Sequence, residues 1–380
     1  MKHILILPSS YTSAYNLISA PFFRDQALAL KKQGNKVGVL CSLPISMKKV
    51  FYHSKFFFEK EKYIDDGIPT SVFPFPSIPK SFRLNSFVRL SIGKYLLKKY
   101  IEELGMPDVI HVHNFYSGDI AIWAKEKYNI PFVVTEHSSA FIDNQLSKNQ
   151  LRFAKNVFEK SDMNISVSIG FTELLIKKMG IQFVTIPNVV DVDFFNLLDK
   201  QESNKLFNFL NIGHLNANKN QIYLVKSFLD NFKGDLNRKL TVAGYGPQKG
   251  KIQDYIKKND SHNQVNLLKA PSRKKVRQLI HQSNCLVVSS FIETFSVVII
   301  ESLSCGVPVV SVKSSGPSSI ITNDDYGILC DIDQLGNSLK EVVVRNDSFQ
   351  KEKLRNYVMN TYSEKVISQS LQSIYTSVCN

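Results

Sequence analysis

The chain has 380 residues, 43% of them hydrophobic and 21% charged. This excludes a disordered protein and, at about 100–200 residues per domain, points to two domains. Lysine and arginine outnumber aspartate and glutamate by 47 to 33, with 24 basic against 15 acidic in residues 1–190 and 23 against 18 beyond. Nucleic acid, an anionic membrane surface or phosphorylated ligands would each suit that excess, and charge alone does not choose among them.

At the N-terminus, MKHILILPSS has an apolar run of about five residues, shorter than the roughly 7–15 of a signal-peptide core. His3–Leu7 therefore reads as a buried first strand. A loop follows, then a helix from Pro21 with Ser19 as candidate cap, stopping at Gly34, and a second buried strand at Val37–Leu40. Further strands are expected at Val109–Val112, Phe132–Thr135, Met163–Val167 and Phe183–Ile186, each preceded by a helical pattern. The polar stretch Asn196–Asn204 is the candidate linker, after which the series restarts with strand Leu206–Ile212 and helix Asn220–Asn231. Strand Lys239–Val242, helix Asp254–Lys258, strand Val265–Leu268 and helix Val276–Gln282 follow. Strand Cys285–Val288, a helix over Ser296–Cys305 ended by Gly306, and strand Val309–Val312 complete it. A last amphipathic stretch, Glu364–Val378, has no strand after it.

This alternation predicts an α/β protein of two Rossmann-like, doubly wound domains, residues 1–195 and 205–362, with residues 363–380 as a C-terminal helix packing back on the first. Ligand crevices are expected at the carboxyl ends of the strands, the two domains facing a central cleft. Fold alone does not settle function. No stretch approaches the roughly 18–20 apolar residues of a membrane span. The five cysteines are scattered and include no C-x-x-C, so neither a disulfide framework nor a zinc site is expected, and a reducing cytosol suits them.

The most informative stretch is SSFIETFSVVIIESLSCGVPVVS, residues 289–311. A strand leads through Glu293 to a helix, with Glu301 eight positions later and about two turns inside. The amides of Thr294, Phe295, Ser296 and Val297 open that helix and make a ready phosphate site. Carboxylates on either side of a phosphate make sense where each holds hydroxyls, as on a sugar and a ribose. The plainer assignment is a capping Glu293 and a solvated Glu301.

That stretch resembles the E-x7-E motif of the retaining glycosyltransferase family 4, which has the GT-B fold. The resemblance implies that Glu293 faces the transferred sugar and Glu301 the ribose; family members usually read E-G-F-G where this chain has Glu293-Thr294-Phe295-Ser296. Asn211-Ile212-Gly213-His214-Leu215 with Lys219 is similar to the family's G-R-L-x-x-x-K loop, whose two cations neutralise the donor diphosphate. Here Lys219 is retained and His214 replaces the arginine. Ala243-Gly244-Tyr245-Gly246-Pro247 resembles the G-x-G-P turn against the nucleotide, and Lys269 lies in the segment whose backbone usually reads the base. In the first domain, Thr135-Glu136-His137 is similar to the strand-end motif whose histidine reaches the donor sugar, with His111 and His113 as structural supports. Asn16 in the first loop and Asn188 in Ile186-Pro187-Asn188-Val189-Val190-Asp191 are implied cleft or acceptor residues.

The resemblance implies a hexosyltransferase using a nucleotide-diphosphate sugar, a UDP-sugar foremost, and a saccharide acceptor, lipid-linked, in bacterial capsule, O-antigen or exopolysaccharide biosynthesis. The expected place is the cytoplasm, peripheral at the inner face of the plasma membrane. The basic-aromatic stretches Met47–Tyr63 and Lys80–Tyr100 suit an anionic membrane surface, or else form an ordinary amphipathic helix. No metal is called for: Asp191-x-Asp193 and Asp331-x-Asp333 have D-x-D spacing but read as turn carboxylates, and Lys219 with a helix N-terminus meets the diphosphate charge. The alternatives are a sugar-nucleotide epimerase of the same fold, a non-catalytic sugar-nucleotide binder, and a nucleic-acid-binding protein, for which no recognised module appears.

Overall fold

The computed structural model describes residues 1–13, 21–46, 60–79, 81–198 and 206–379. The chain divides into two compact units, Met1–Val189 with Glu364–Asn380, and Val190–Ser363.

In the first unit the strands are β1 (His3–Pro8), β2 (Lys36–Ser46), β3 (Glu61–Asp65), β4 (Ile68–Ser77), β5 (Val109–His113), β6 (Phe132–Glu136), β7 (Met163–Ser166) and β8 (Val184–Thr185). They form one sheet in the order β3-β4-β2-β1-β5-β6-β7-β8. All neighbours are parallel except β3 and β4. The helices are α1 (Pro21–Lys32), α2 (Phe82–Leu104), α3 (Gly118–Tyr128), α4 (Lys148–Lys160) and α5 (Ile169–Met179). The parallel strands are continuous apolar runs because helices cover both faces. The helix α13 (Glu364–Cys379) adds Ile367, Leu371 and Tyr375 to the core that β1 and β2 build, and its Glu364 pairs with Lys32 of α1 at 2.9 Å.

One expectation needed correction here. Strand β2 runs to Ser46, well past the predicted end at Leu40, and β4 pairs along it from Val39 to Ser46. The stretch Lys80–Tyr100 is mostly the long helix α2, whose Arg89, Gly93, Leu96, Leu97 and Tyr100 are buried. Its other predicted basic-aromatic partner, Met47–Tyr63, lies largely outside the described residues, as do Asn16 and the candidate cap Ser19.

The second unit is built from β9 (Phe207–Ile212), β10 (Arg238–Ala243), β11 (Val265–Leu268), β12 (Cys285–Val288), β13 (Val309–Val312) and β14 (Gly327–Cys330). The helices are α6 (Gln221–Phe232), α7 (Lys249–Asn259), α8 (Arg273–His281), α9 (Val297–Ser304), α10 (Ser315–Ile320), α11 (Leu335–Val344) and α12 (Lys351–Thr361). The all-parallel order β11-β10-β9-β12-β13-β14 is the Rossmann order, so its switch point lies between β9 and β12. The first unit repeats that order about its own switch point between β1 and β5. A phosphate or nucleotide site is expected beyond the carboxyl ends of the strands flanking such a point, where two neighbouring loops diverge.

Candidate functional site

At the second unit's switch point, the loop after β9 carries His214 and Lys219, and the loop after β12 carries Glu293. Asn218 ties the two loops together. Its side-chain amide donates to the Ile292 carbonyl at 2.8 Å, its side-chain oxygen accepts from the Ile292 amide at 2.9 Å, and its carbonyl accepts from the Phe291 amide at 2.9 Å. Ser289 adds a hydroxyl bond to the Lys219 carbonyl at 2.7 Å. With the backbones stitched, the Lys219 ammonium donates to Glu293 Oε1, which also accepts from the Ser290 hydroxyl at 2.7 Å. An ammonium has three protons to donate, so Lys219 keeps capacity for anionic oxygens beyond the carboxylate. Glu293 Oε2 has no protein partner among the described residues, and an ionised carboxylate oxygen there accepts from hydroxyls.

His214 is half-buried, with its ring edge-on to Tyr245 at 4.9 Å between centroids. Gly213 leads into this loop, and its amide bonds the Ala243 carbonyl at 3.1 Å. Gly244 and Gly246 have a role here that the sequence did not reveal. A Cβ on Gly244 would overlap the Gly213 carbonyl oxygen, and one on Gly246, at φ +152°, would overlap the Leu215 backbone. The glycines thus let the turn after β10 lie against the loop after β9, with Leu215 N–H donating to the Tyr245 carbonyl at 2.6 Å and Gln248 N–H to the Leu215 carbonyl at 3.0 Å.

Helix α9 begins at Val297, with Ser296 as its cap residue at φ +85° and no side-chain capping bond. That left-handed backbone favours glycine, so serine carries strain there. The amides of Val297 and Val298 belong to the first turn, whose N–H groups have no intrahelical partner. Glu301 is the fifth residue of the helix, a little over one turn in rather than two, and half-buried. Phe295 is buried, and behind it Gly316 approaches so closely that a Cβ would overlap the Phe295 backbone, while Gly316 N–H donates to the Glu293 carbonyl at 2.9 Å. Thr294 is half-buried beside it. Lys269, just after β11, is exposed.

The corresponding place in the first unit is filled differently. His111, His113 and His137 stack in the interior, with ring centroids 4.3 Å apart for the first pair and 5.3 Å for the second. His113 Nδ1 lies 3.0 Å from His137 Nε2, and His111 bonds the Tyr375 hydroxyl at 2.6 Å and the Thr135 hydroxyl at 2.7 Å. Phe22 and Phe23 of α1 cover His137 at 4.9 and 5.3 Å, leaving it 9% exposed. Burial pushes His111 and His137 down to about 3, and His113 down as well, so all three rings are neutral at pH 7. Glu136 is fully buried beside them, and that burial raises it to about 7 against the pull of three amide donors, from Phe115, His137 and Ser138. Asn188 is buried at 5% exposure.

Asp191 and Asp193 bring carboxylate oxygens within 4.8 Å of each other, a spacing that could hold a cation. Asp191 accepts from the Phe194 amide at 2.9 Å, and Asp331 pairs with Lys313 at 3.1 Å. Sequence reasoning passed over Asn216, Asn218, Ser289 and Ser290. The available signal was the crowding of small polar residues just after the ends of β9 and β12.

Comparisons with known proteins bear on the fold and the family. An uncharacterized glycosyltransferase of Methanocaldococcus jannaschii is 33% identical over 145 residues, 36% of this chain, and the match spans only 35% of that relative's length. A second one from the same organism is 29% identical over 72% of this chain and 74% of its own length. The crystal structure of an Anabaena protein, HepE, in complex with UDP superposes with a TM-score of 0.75 at 17% identity, over 99% of this chain and all of that one, which shows the fold. The model of Glycosyltransferase Family 4 matches residues 21–194, and that of Glycosyl transferases group 1 matches residues 194–359. With two parallel-sheet α/β units of the GT-B type and these two models in succession, the chain belongs to the family 4 glycosyltransferases.

Proposed function

We propose that this glycosyltransferase moves a hexosyl group, with retention of configuration, from a UDP-sugar to a lipid-linked saccharide during assembly of a bacterial surface polysaccharide. The observation that carries the reading is the pairing of Lys219 with Glu293 across the second unit's switch point. A departing nucleoside diphosphate gathers charge on its β-phosphate, and the main catalytic demand is to stabilise it. Lys219, His214 and the first amides of α9 answer that demand without a metal ion. Glu293 Oε2 then holds a hydroxyl of the transferred sugar, Glu301 a ribose hydroxyl, and the backbone near Lys269 meets the base. UDP in the HepE structure supports the choice of nucleotide.

Membrane association is part of the proposal. Among the described residues no helix is long and apolar enough to cross a membrane. Helix α2 instead exposes Leu84, Phe87 and Tyr95 beside Arg83, Lys98 and Lys99, a mixture that suits the surface of an anionic bilayer.

The test is donor turnover on a panel of UDP-, GDP- and ADP-sugars, with and without chelator and with and without a membrane lipid extract. Chelator-insensitive, extract-dependent release of UDP is the expected result. Turnover of another nucleotide's sugar would correct the donor, and a requirement for divalent metal would overturn the metal-free assignment. UDP-sugar binding with no turnover on any acceptor would favour a non-catalytic binder.

A further inference from the structure

We infer that Asn216 is a positioning residue that fixes His214 as a neutral ring protonated on Nε2, so that the loop after β9 offers the diphosphate one cation and one directed neutral donor. The inference rests on reading this loop as the diphosphate site.

The hydrogen positions follow from which groups can only donate. The Lys219 backbone N–H donates to Asn216 Oδ1 at 3.0 Å. A backbone N–H only donates, so the oxygen of the Asn216 amide must face it, which settles the orientation of the amide. Asn216 Nδ2 then faces His214 Nδ1 at 3.0 Å. An amide nitrogen of asparagine also only donates, so His214 Nδ1 must accept and the ring hydrogen sits on Nε2. Turning the Asn216 amide over would set its Nδ2 against the Lys219 N–H, two donors facing each other. Tyr245 holds the plane of the imidazole from the side, and the His214 carbonyl accepts from Gln221 Nε2 at 3.2 Å. His214 Nε2 has no protein partner among the described residues, so its proton is available to a ligand.

This arrangement changes what replaced the arginine. An arginine would bring a second permanent charge; an Nε2–H donor of fixed direction brings a hydrogen bond without one. Lys219, paired to Glu293 but with protons to spare, is then the loop's one permanent cation, and His214 adds direction rather than a second charge.

Long-range proton–nitrogen correlation on the full chain labelled with 15N-histidine tests the tautomer with no donor present. At pH 7.5 His214 should show an unprotonated Nδ1 and a protonated Nε2, and Asn216→Ala should mix the tautomers while leaving the melting temperature close to that of the parent. Averaged nitrogen signals or an Nδ1–H form in the parent would overturn the inference, as would an Asn216→Ala spectrum that does not change. Calorimetric titration with UDP reads the functional half. Glutamine places a donor where Nε2 is and asparagine where Nδ1 is, so His214→Gln should bind UDP within a few-fold of the parent, while His214→Asn should lose about tenfold, one charge-assisted hydrogen bond. Equal affinity in both variants would remove His214 Nε2 from UDP recognition even if the tautomer is as inferred. Failure of the parent to bind UDP would instead overturn the site reading, which the nitrogen spectrum does not touch.

Discussion

The two units repeat one strand order, yet their switch points hold opposite kinds of chemistry. In the second unit the loops after β9 and β12 end in half-exposed Lys219, Glu293 and His214, held by backbone stitches through Asn218 and Ser289. In the first, the place between β1 and β5 is closed by neutral imidazoles under Phe22 and Phe23, with Tyr375 of the last helix bonded to the innermost ring. Topology thus supplies a crevice, and the residues at the strand ends decide whether it holds ions or is packed shut. The open unit should answer to charge and the closed one to burial.

The largest effect that separates them is on turnover. Replacing Lys219 or Glu293 by alanine should lower kcat by about 10²–10³, roughly 2.7–4 kcal/mol of lost transition-state stabilisation, with the fold intact. A drop below tenfold in both variants would place the chemistry elsewhere. Steady-state rates with circular dichroism as the folding control decide it.

Acid should strike the closed unit. The folded histidines have lowered affinities for protons, so the unfolded chain takes them up first, and stability falls as pH drops below about 6.5 towards 3. Between pH 7.5 and 5, His111 and His137 each contribute a loss of about 2 kcal/mol, and His113 adds to it. Glu136 opposes them: raised to about 7, it binds a proton in the folded state first and returns roughly 2.4 kcal/mol over the same interval. The net expectation is a loss of about 2–4 kcal/mol. The single tryptophan, Trp123 in α3, reports on the first unit alone, so its urea midpoint at the two pH values measures this. An unchanged midpoint would mean that the imidazoles are protonated or wet.

The next effect sharpens the view that the open site is built by close backbone approach. Gly244→Ala forces a methyl onto the Gly213 carbonyl and should cost about 1–3 kcal/mol while weakening UDP binding. Unaltered affinity would show that the two turns move independently. The smallest effect is at Ser296. Glycine there relieves about 1–2 kcal/mol of left-handed strain, offset by roughly 0.5–1 for the freer unfolded chain, so Ser296→Gly should raise stability by about 0.5 kcal/mol. A lower melting temperature would mean that the serine hydroxyl contributes more than the strain costs.

Much of this comparison was readable in the sequence, and its limits are physical. The strands β11, β12 and β13 were predicted to the residue, because buried parallel strands are short apolar runs with polar or glycine punctuation. Strand β4 was missed: it carries Pro74 and Pro76, and β3 pairs only with Ile68–Val72, so both prolines lie where no strand is paired on that side among the described residues. Strand β3 was hidden by its charged alternation, Glu61-Lys62-Tyr63-Ile64-Asp65. The helix α2 was visible as a basic-aromatic stretch, yet nothing in its residues announced that Arg89 turns inward to Asp119 at 3.0 Å. At the site, motif resemblance named His214, Lys219 and Glu293. It did not name Asn218 and Ser289, whose hydrogen bonds join loops 74 and 70 residues apart and leave no local pattern, nor Asn216 and Ser290, whose short-range bonds orient His214 and Glu293.

If Lys219 holds the donor's diphosphate at the second unit's switch point, as proposed, a calorimetric titration of UDP into the parent and into Lys219→Ala will show it. The parent should show one site, and the variant should bind at least about tenfold more weakly, the loss of a charge-assisted contact. Equal affinity in the two proteins would contradict it.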